Sequence, residues 1–140
     1  MVQQSIHPAK PLMMARFFLT SAALLAGLAV AAGAFATHAL RAQLSDRALA
    51  IFETAVRYQM YHALALLLVG VLLSRAEAGV VALTVTGWAF LAGIVLFSGS
   101  LYGLSLAGIK VLGAIAPVGG LALMMGWLCL AIGAWNYQQT

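Results

Sequence analysis

His38 and His62 each open a His-Ala-Leu tripeptide, and between them lie Arg41, Asp46, Arg47, Glu53 and Arg57, half of the charged residues in the chain. Neutral imidazole is a ligand for haem iron and for transition metals, so two histidines at one membrane depth could hold a b-type haem or a metal ion. Metal sites usually show a fuller ligand set than two histidines and one glutamate, and no Cys-x-x-Cys-His is present for covalent haem attachment. The plainer alternative is that each imidazole bonds a neighbouring helix or a headgroup. Tyr58, Gln59 and Tyr61 could grip a quinone or a lipid headgroup, although aromatic and amide groups near a membrane boundary more often anchor a helix. Ser98 has no base or acid beside it in sequence to activate it as a nucleophile. The glycines of "PVGG" lack the Lys-Ser/Thr of a phosphate loop. The residues therefore predict no catalytic group, no metal and no cofactor. They predict instead a polar cluster of His38, Arg41, Glu53, Arg57, Tyr58, Gln59 and His62, whose commonest role would be a solvated face.

Whatever positions these groups must be built in lipid. The chain is 64% hydrophobic and 7% charged, with a mean hydropathy of +1.04, and too little polar surface remains for a soluble domain. Charge-free runs cover residues 17–40, 58–74, 78–109 and 111–140. A spanning helix needs roughly 20 apolar residues, so four spans fit, the second at the short limit. The runs do not alternate polar and apolar residues as barrel strands do. The net charge of +4 is spread along the chain with no basic stripe, which argues against nucleic acid. Cys129 is the only cysteine and makes neither an intrachain disulfide nor a metal motif. "AFAT" carries the A-x-A form of a signal-peptidase site. The preceding run is longer than a usual signal core, however, and Ala23, Gly27 and Ala31 suggest a packing face, so a retained first span is expected.

The expected fold is an all-α membrane protein of four transmembrane helices forming one domain over residues 1–140, with spans at 17–38, 56–74, 80–102 and 112–135. A polar arm with Pro8 and Pro11 precedes the first. Ser45 is a plausible N-cap, and Ala48, Ile51, Phe52 and Ala55 form an apolar stripe on the helix it starts. A straight helix from 45 to 74 would be about 45 Å long, longer than the hydrocarbon is thick. Sinking Asp46, Arg47, Glu53 and Arg57 into lipid is costly, and exposing the stripe to water wastes it. These opposing costs predict an amphipathic helix over 45–57 lying along the interface, bending near Arg57 into span two. That would bring His38 and His62 to similar depth, with Glu53 and Arg57 paired at i, i+4. Gly99 and Gly103 form a GxxxG pair, and Gly119, Gly126 and Gly133 recur every seven residues, two faces on which helices could approach closely. Four spans place both termini on one side. Three basic residues there against four opposite do not orient the chain.

"GAFATHAL", "TAVRYQMYHALALLL", "FSGSLY" and "APVGGLALMMGW" occur in this order, and together they resemble the family catalogued as domain of unknown function 423. That family includes bacterial inner-membrane proteins and animal transmembrane protein 256. The resemblance covers roughly residues 33–127 and implies a four-span protein with a retained first span and no agreed activity. Ala36 stands where the family pattern has glycine. No catalytic residue is carried over. The expected partners are the bilayer and either copies of the chain or a larger membrane complex.

Overall fold

The structure, a computed structural model, describes residues 9–139. Four helical spans run α1 (Ala9–His38), α2 (Asp46–Arg75), α3 (Val80–Gly93) continuing through a π-helical turn (Ile94–Ser98) into α4 (Gly99–Ala107), and α5 (Leu112–Trp135). Each is long and apolar enough to cross a membrane. The first helix starts earlier than the expected arm allows, at Ala9, because Pro11 falls in its first turn, where the missing N–H has no helical acceptor to lose. A short 3₁₀ turn (Leu40–Ala42) leads to Ser45, whose hydroxyl caps α2 by accepting from the Ala48 N–H at 3.2 Å. Gly79 and Gly108 take positive φ (77° and 67°) at the start of α3 and the end of α4, which only glycine does without strain. A two-stranded ladder, β1 (Ala76–Ala78) with β2 (Gln138–Gln139), ties the end of the chain to the α2–α3 turn.

The helices pack in antiparallel sequence, α1 along α2, α2 along the third span, and the third span along α5. The buried side of α1 repeats every seven residues as Ala15, Ala22, Ala29 and Ala36, with Phe18 and Leu40 between and beyond them. Ala36 packs with Leu40 and Phe52. The face expected from Ala23, Gly27 and Ala31 is the exposed one, and a Cβ on Gly27 would meet nothing within 4 Å. Ala23, Gly27 and Ala31 recur every four residues and the buried alanines every seven, but only the alanine series also carries Phe18 and Leu25 on its side of the helix, and area decides which stripe turns inward.

Where a bend is expected near Arg57, α2 runs on as one continuous helix of 30 residues. Gly33 lies against Val56 and Gly70 against Leu19, so α1 and α2 keep one register over most of their length. The stripe on residues 48–55 needs no lipid interface, because Phe52 packs on Ala36 and Leu40 and its ring lies 4.9 Å from that of Tyr102. Protein covers Phe52 and Ala55 on that side, whereas Ala48 and Ile51 are only half-buried.

The π-helical turn sits in the middle of the third span. One extra residue there shifts the helical phase, so that Ser98 faces α2 and donates to the Ala55 carbonyl at 2.9 Å, deep in the bundle. Opposite it, Gly119 of α5 sits on backbone: a Cβ at that position would run into Phe97 N and come 2.7 Å from the Leu96 carbonyl carbon. Gly126 likewise admits the Phe90 ring, and Gly133 packs on Ala82 and Leu83. Gly103 meets Leu112, whereas Gly99 is exposed with nothing within 4 Å of a Cβ. The GxxxG pair is thus split: only one of its glycines faces a neighbouring helix.

Candidate functional site: a polar centre tied to every span

Near the midpoint of α2, Gln59 and His62 are 5% and 6% exposed. Three residues apart on one helix face, they reach the other three spans between them. Gln59 Nε2 donates to the Leu25 carbonyl of α1 at 2.8 Å, and its Oε1 accepts from the Tyr102 hydroxyl of α4 at 2.9 Å. His62 Nε2 lies 3.1 Å from Trp127 Nε1 of α5, and Nδ1 lies 2.7 Å from the Tyr58 carbonyl. A carbonyl can only accept and an indole N–H can only donate, so these partners assign a neutral imidazole with its proton on Nδ1. The phenyl ring of Phe90 and the Trp127 indole pack edge-on against the imidazole at 5.5 and 6.0 Å.

The chemistry of this arrangement is cohesion. In lipid a polar side chain without a partner costs several kcal/mol, on the order of a whole hydrogen bond in an apolar medium. Here every buried side-chain nitrogen and oxygen among the described residues has a hydrogen-bond partner. For His62 to ligate a metal through Nε2 it would first have to release Trp127. Among the described residues no three His, Cys, Asp or Glu side chains converge.

The residues singled out from the sequence do not form one cluster. Gln59 and His62 are buried, and Tyr58 is half-exposed beside them, its ring 4.6 Å from Phe97. His38, Arg41, Glu53 and Arg57 are exposed. With the α1–α2 register above, His38 sits opposite residue 51 of α2, which puts it about 16 Å from His62 along the helix axis. The contact that Arg57 makes is with Thr54 Oγ1 at 3.2 Å, not the expected one with Glu53. Tyr102 and Trp127, which complete the centre, escaped the sequence reading. A signal exists for Trp127, which lies well inside a charge-free run where an indole N–H must find a partner, whereas Tyr102 falls at the end of the expected third span and reads there as a boundary aromatic.

On the α1 side of Gln59 an apolar cavity of about 450 Å³ opens between α1, α2 and the third span, walled by Leu25, Ala32, Phe52, Val95 and Tyr102. Gly99 lines it, which accounts for the space beside that residue.

Fold and centre together define a small multi-pass helical membrane protein held by internal polar ties. The chain matches the family model described as a protein of unknown function (DUF423) over residues 32–120, and it belongs to that family. It is 44% identical over 122 residues to a UPF0382 membrane protein of Staphylococcus aureus, covering 87% of this chain and 98% of the relative. The UPF0382 membrane protein YwdK of Bacillus subtilis is 43% identical with the same coverage. No solved structure matches the chain. The protein is therefore an integral, multi-pass membrane protein of an uncharacterised family.

Proposed function

We propose that this protein is a structural or interaction component, a rigid bundle that packs in the membrane against copies of itself or within a larger complex. The carrying observation is the outward face of α2. Glu53 and Arg57 are exposed there, one turn apart, above exposed Tyr61 and Leu64. Arg57 is about 17 Å from the start of the helix, and a hydrocarbon core of roughly 30 Å centred on α2 would enclose it. A charge at that depth is retained at a cost of about 2.5–3.5 kcal/mol on insertion scales unless it snorkels or is paired, and a partner helix is a ready source of pairing. The polar centre supports the same reading, because its side chains tie α2 to each of the other spans. Enzymatic activity is not part of this proposal.

The test is native mass and co-purification in mild detergent, comparing wild type with the Glu53→Gln/Arg57→Gln variant. The reading expects wild type in assemblies larger than its 14.6 kDa monomer, and a shift toward monomer in the variant. A wild type that is monomeric and free of co-purifying protein contradicts it. A second reading, an apolar ligand beside Gln59, is favoured by the 450 Å³ cavity, which falls in the size range of small-molecule sites. Extraction of a stoichiometric lipid or quinone, lost in Gly99→Leu, would support it.

A further inference from the structure

A different cavity, of about 680 Å³, lies where the chain turns between spans. The start of α2 contributes Ser45 and Arg47 to it, and the end of α4 with its following turn contributes Ser105 and Lys110. Ala48, Ile51 and Leu104 form the apolar wall. Of the side chains that bound it two are cations and none is a carboxylate; Asp46, in the first turn of α2, is not among them. Local structure makes this meeting. Gly108 at φ 67° ends α4 with its N–H on the Leu104 carbonyl at 3.1 Å, and the reversed chain carries Lys110 to the cavity that Arg47 enters from another span.

The place and the chemistry select a ligand. The cavity is at the end of the bundle where the helical spans beginning at Asp46 and Leu112 and ending at Ala107 meet the boundary of the membrane, the zone of lipid phosphates. Two cations from different spans favour a phosphate oxygen pair, and Arg adds a planar donor fork. The N-terminus of a 30-residue helix adds positive potential, partly offset by Asp46. Ser45 Oγ accepts from Ala48 N–H and still has its own proton to donate. The apolar wall suits the glycerol and first methylenes below a headgroup.

We propose that this cavity binds the phosphodiester headgroup of an anionic phospholipid, with Arg47 and Lys110 as its paired cations. A zwitterionic lipid brings its own cation toward those two residues and is disfavoured. The site is independent of any packing partner on α2.

The experiment titrates the full-length protein in mild detergent with phosphatidylglycerol, phosphatidylcholine or inorganic phosphate, reading bound lipid by native mass spectrometry and thermal unfolding. Wild type is expected to bind phosphatidylglycerol in preference to phosphatidylcholine, and more weakly as salt rises. The Arg47→Gln/Lys110→Gln variant should bind it about thirtyfold more weakly, at roughly 1 kcal/mol per basic residue. Arg75→Gln, at the opposite end, should bind as wild type does. Equal binding of the two lipids overturns the proposal, as does a double variant within twofold of wild type. Inorganic phosphate that stabilises wild type as well as phosphatidylglycerol does would make this a free-phosphate site and overturn the lipid assignment. Should the double variant fail to fold, salt-independent binding by wild type is enough to reject it.

Discussion

The two long seams of the bundle are built on one period and differ by a methyl group. Along α1, Ala15, Ala22, Ala29 and Ala36 face α2; along α5, Gly119, Gly126 and Gly133 face the third span. In lipid no hydrophobic drive joins helices, so packing and hydrogen bonds must do it. The alanine seam is joined by Gln59, whose amide reaches across to a backbone carbonyl of α1. The glycine seam brings α5 onto the backbone itself at Phe97, and its polar tie to α2 comes from a side chain on each helix, Trp127 and His62. The first seam can yield by rotating side chains; the second, at Gly119, cannot.

The largest effect should therefore come from the smallest change. Gly119→Ala puts a Cβ against backbone atoms of Phe97 and Leu96, and about 3 kcal/mol is expected, the upper end for overpacking. Reversible unfolding in detergent measures it, and a wild-type midpoint would show that the seam has room.

Gln59→Leu tests the other seam. It keeps volume but leaves the Tyr102 hydroxyl without its acceptor, for a loss of about 1.5 kcal/mol. Combining it with Tyr102→Phe should recover part of that loss. Strictly additive losses in the double mutant would mean that the two side chains are not coupled.

Trp127→Phe keeps one aromatic ring but removes the five-membered ring that carries the N–H to His62, so the hydrogen-bond share of the loss is read after allowance for the lost contact. About 0.6 kcal/mol is expected, the average for hydrogen bonds between membrane helices. A loss as large as that of Gln59→Leu would make the two ties equivalent and erase the contrast drawn between them.

Gly99→Ala should be the mildest, neutral or stabilising by up to about 1 kcal/mol, since the residue is helical (φ −58°) and nothing stands within 4 Å of a Cβ. Destabilisation would reveal a neighbour on that face, such as a second copy of the chain.

Much of this architecture was legible in one dimension. Charge-free runs located four helices long and apolar enough to span, because lipid tolerates few charges. Ser45 was readable as a cap because its hydroxyl acts on an amide three residues away. The glycine repeat was visible as a period. Tertiary structure alone decided which surface each period meets. It turned Ala22 and Ala29 inward and Ala23 and Gly27 outward, and it set Gly103 against Leu112 while leaving Gly99 beside open space. It also carried α2 through Arg57 as one continuous helix. Local costs favoured a bend because they counted the stripe of Phe52 and Ala55 as open to solvent, and only the presence of α1 and Tyr102 removes that cost. The polar centre is decided the same way: composition requires a buried amide or imidazole to find partners, but Leu25, Tyr102 and Trp127 lie 34, 43 and 65 residues away in the chain. Periodicity carries what neighbours in sequence enforce, while contacts at that separation exist only once the helices have packed.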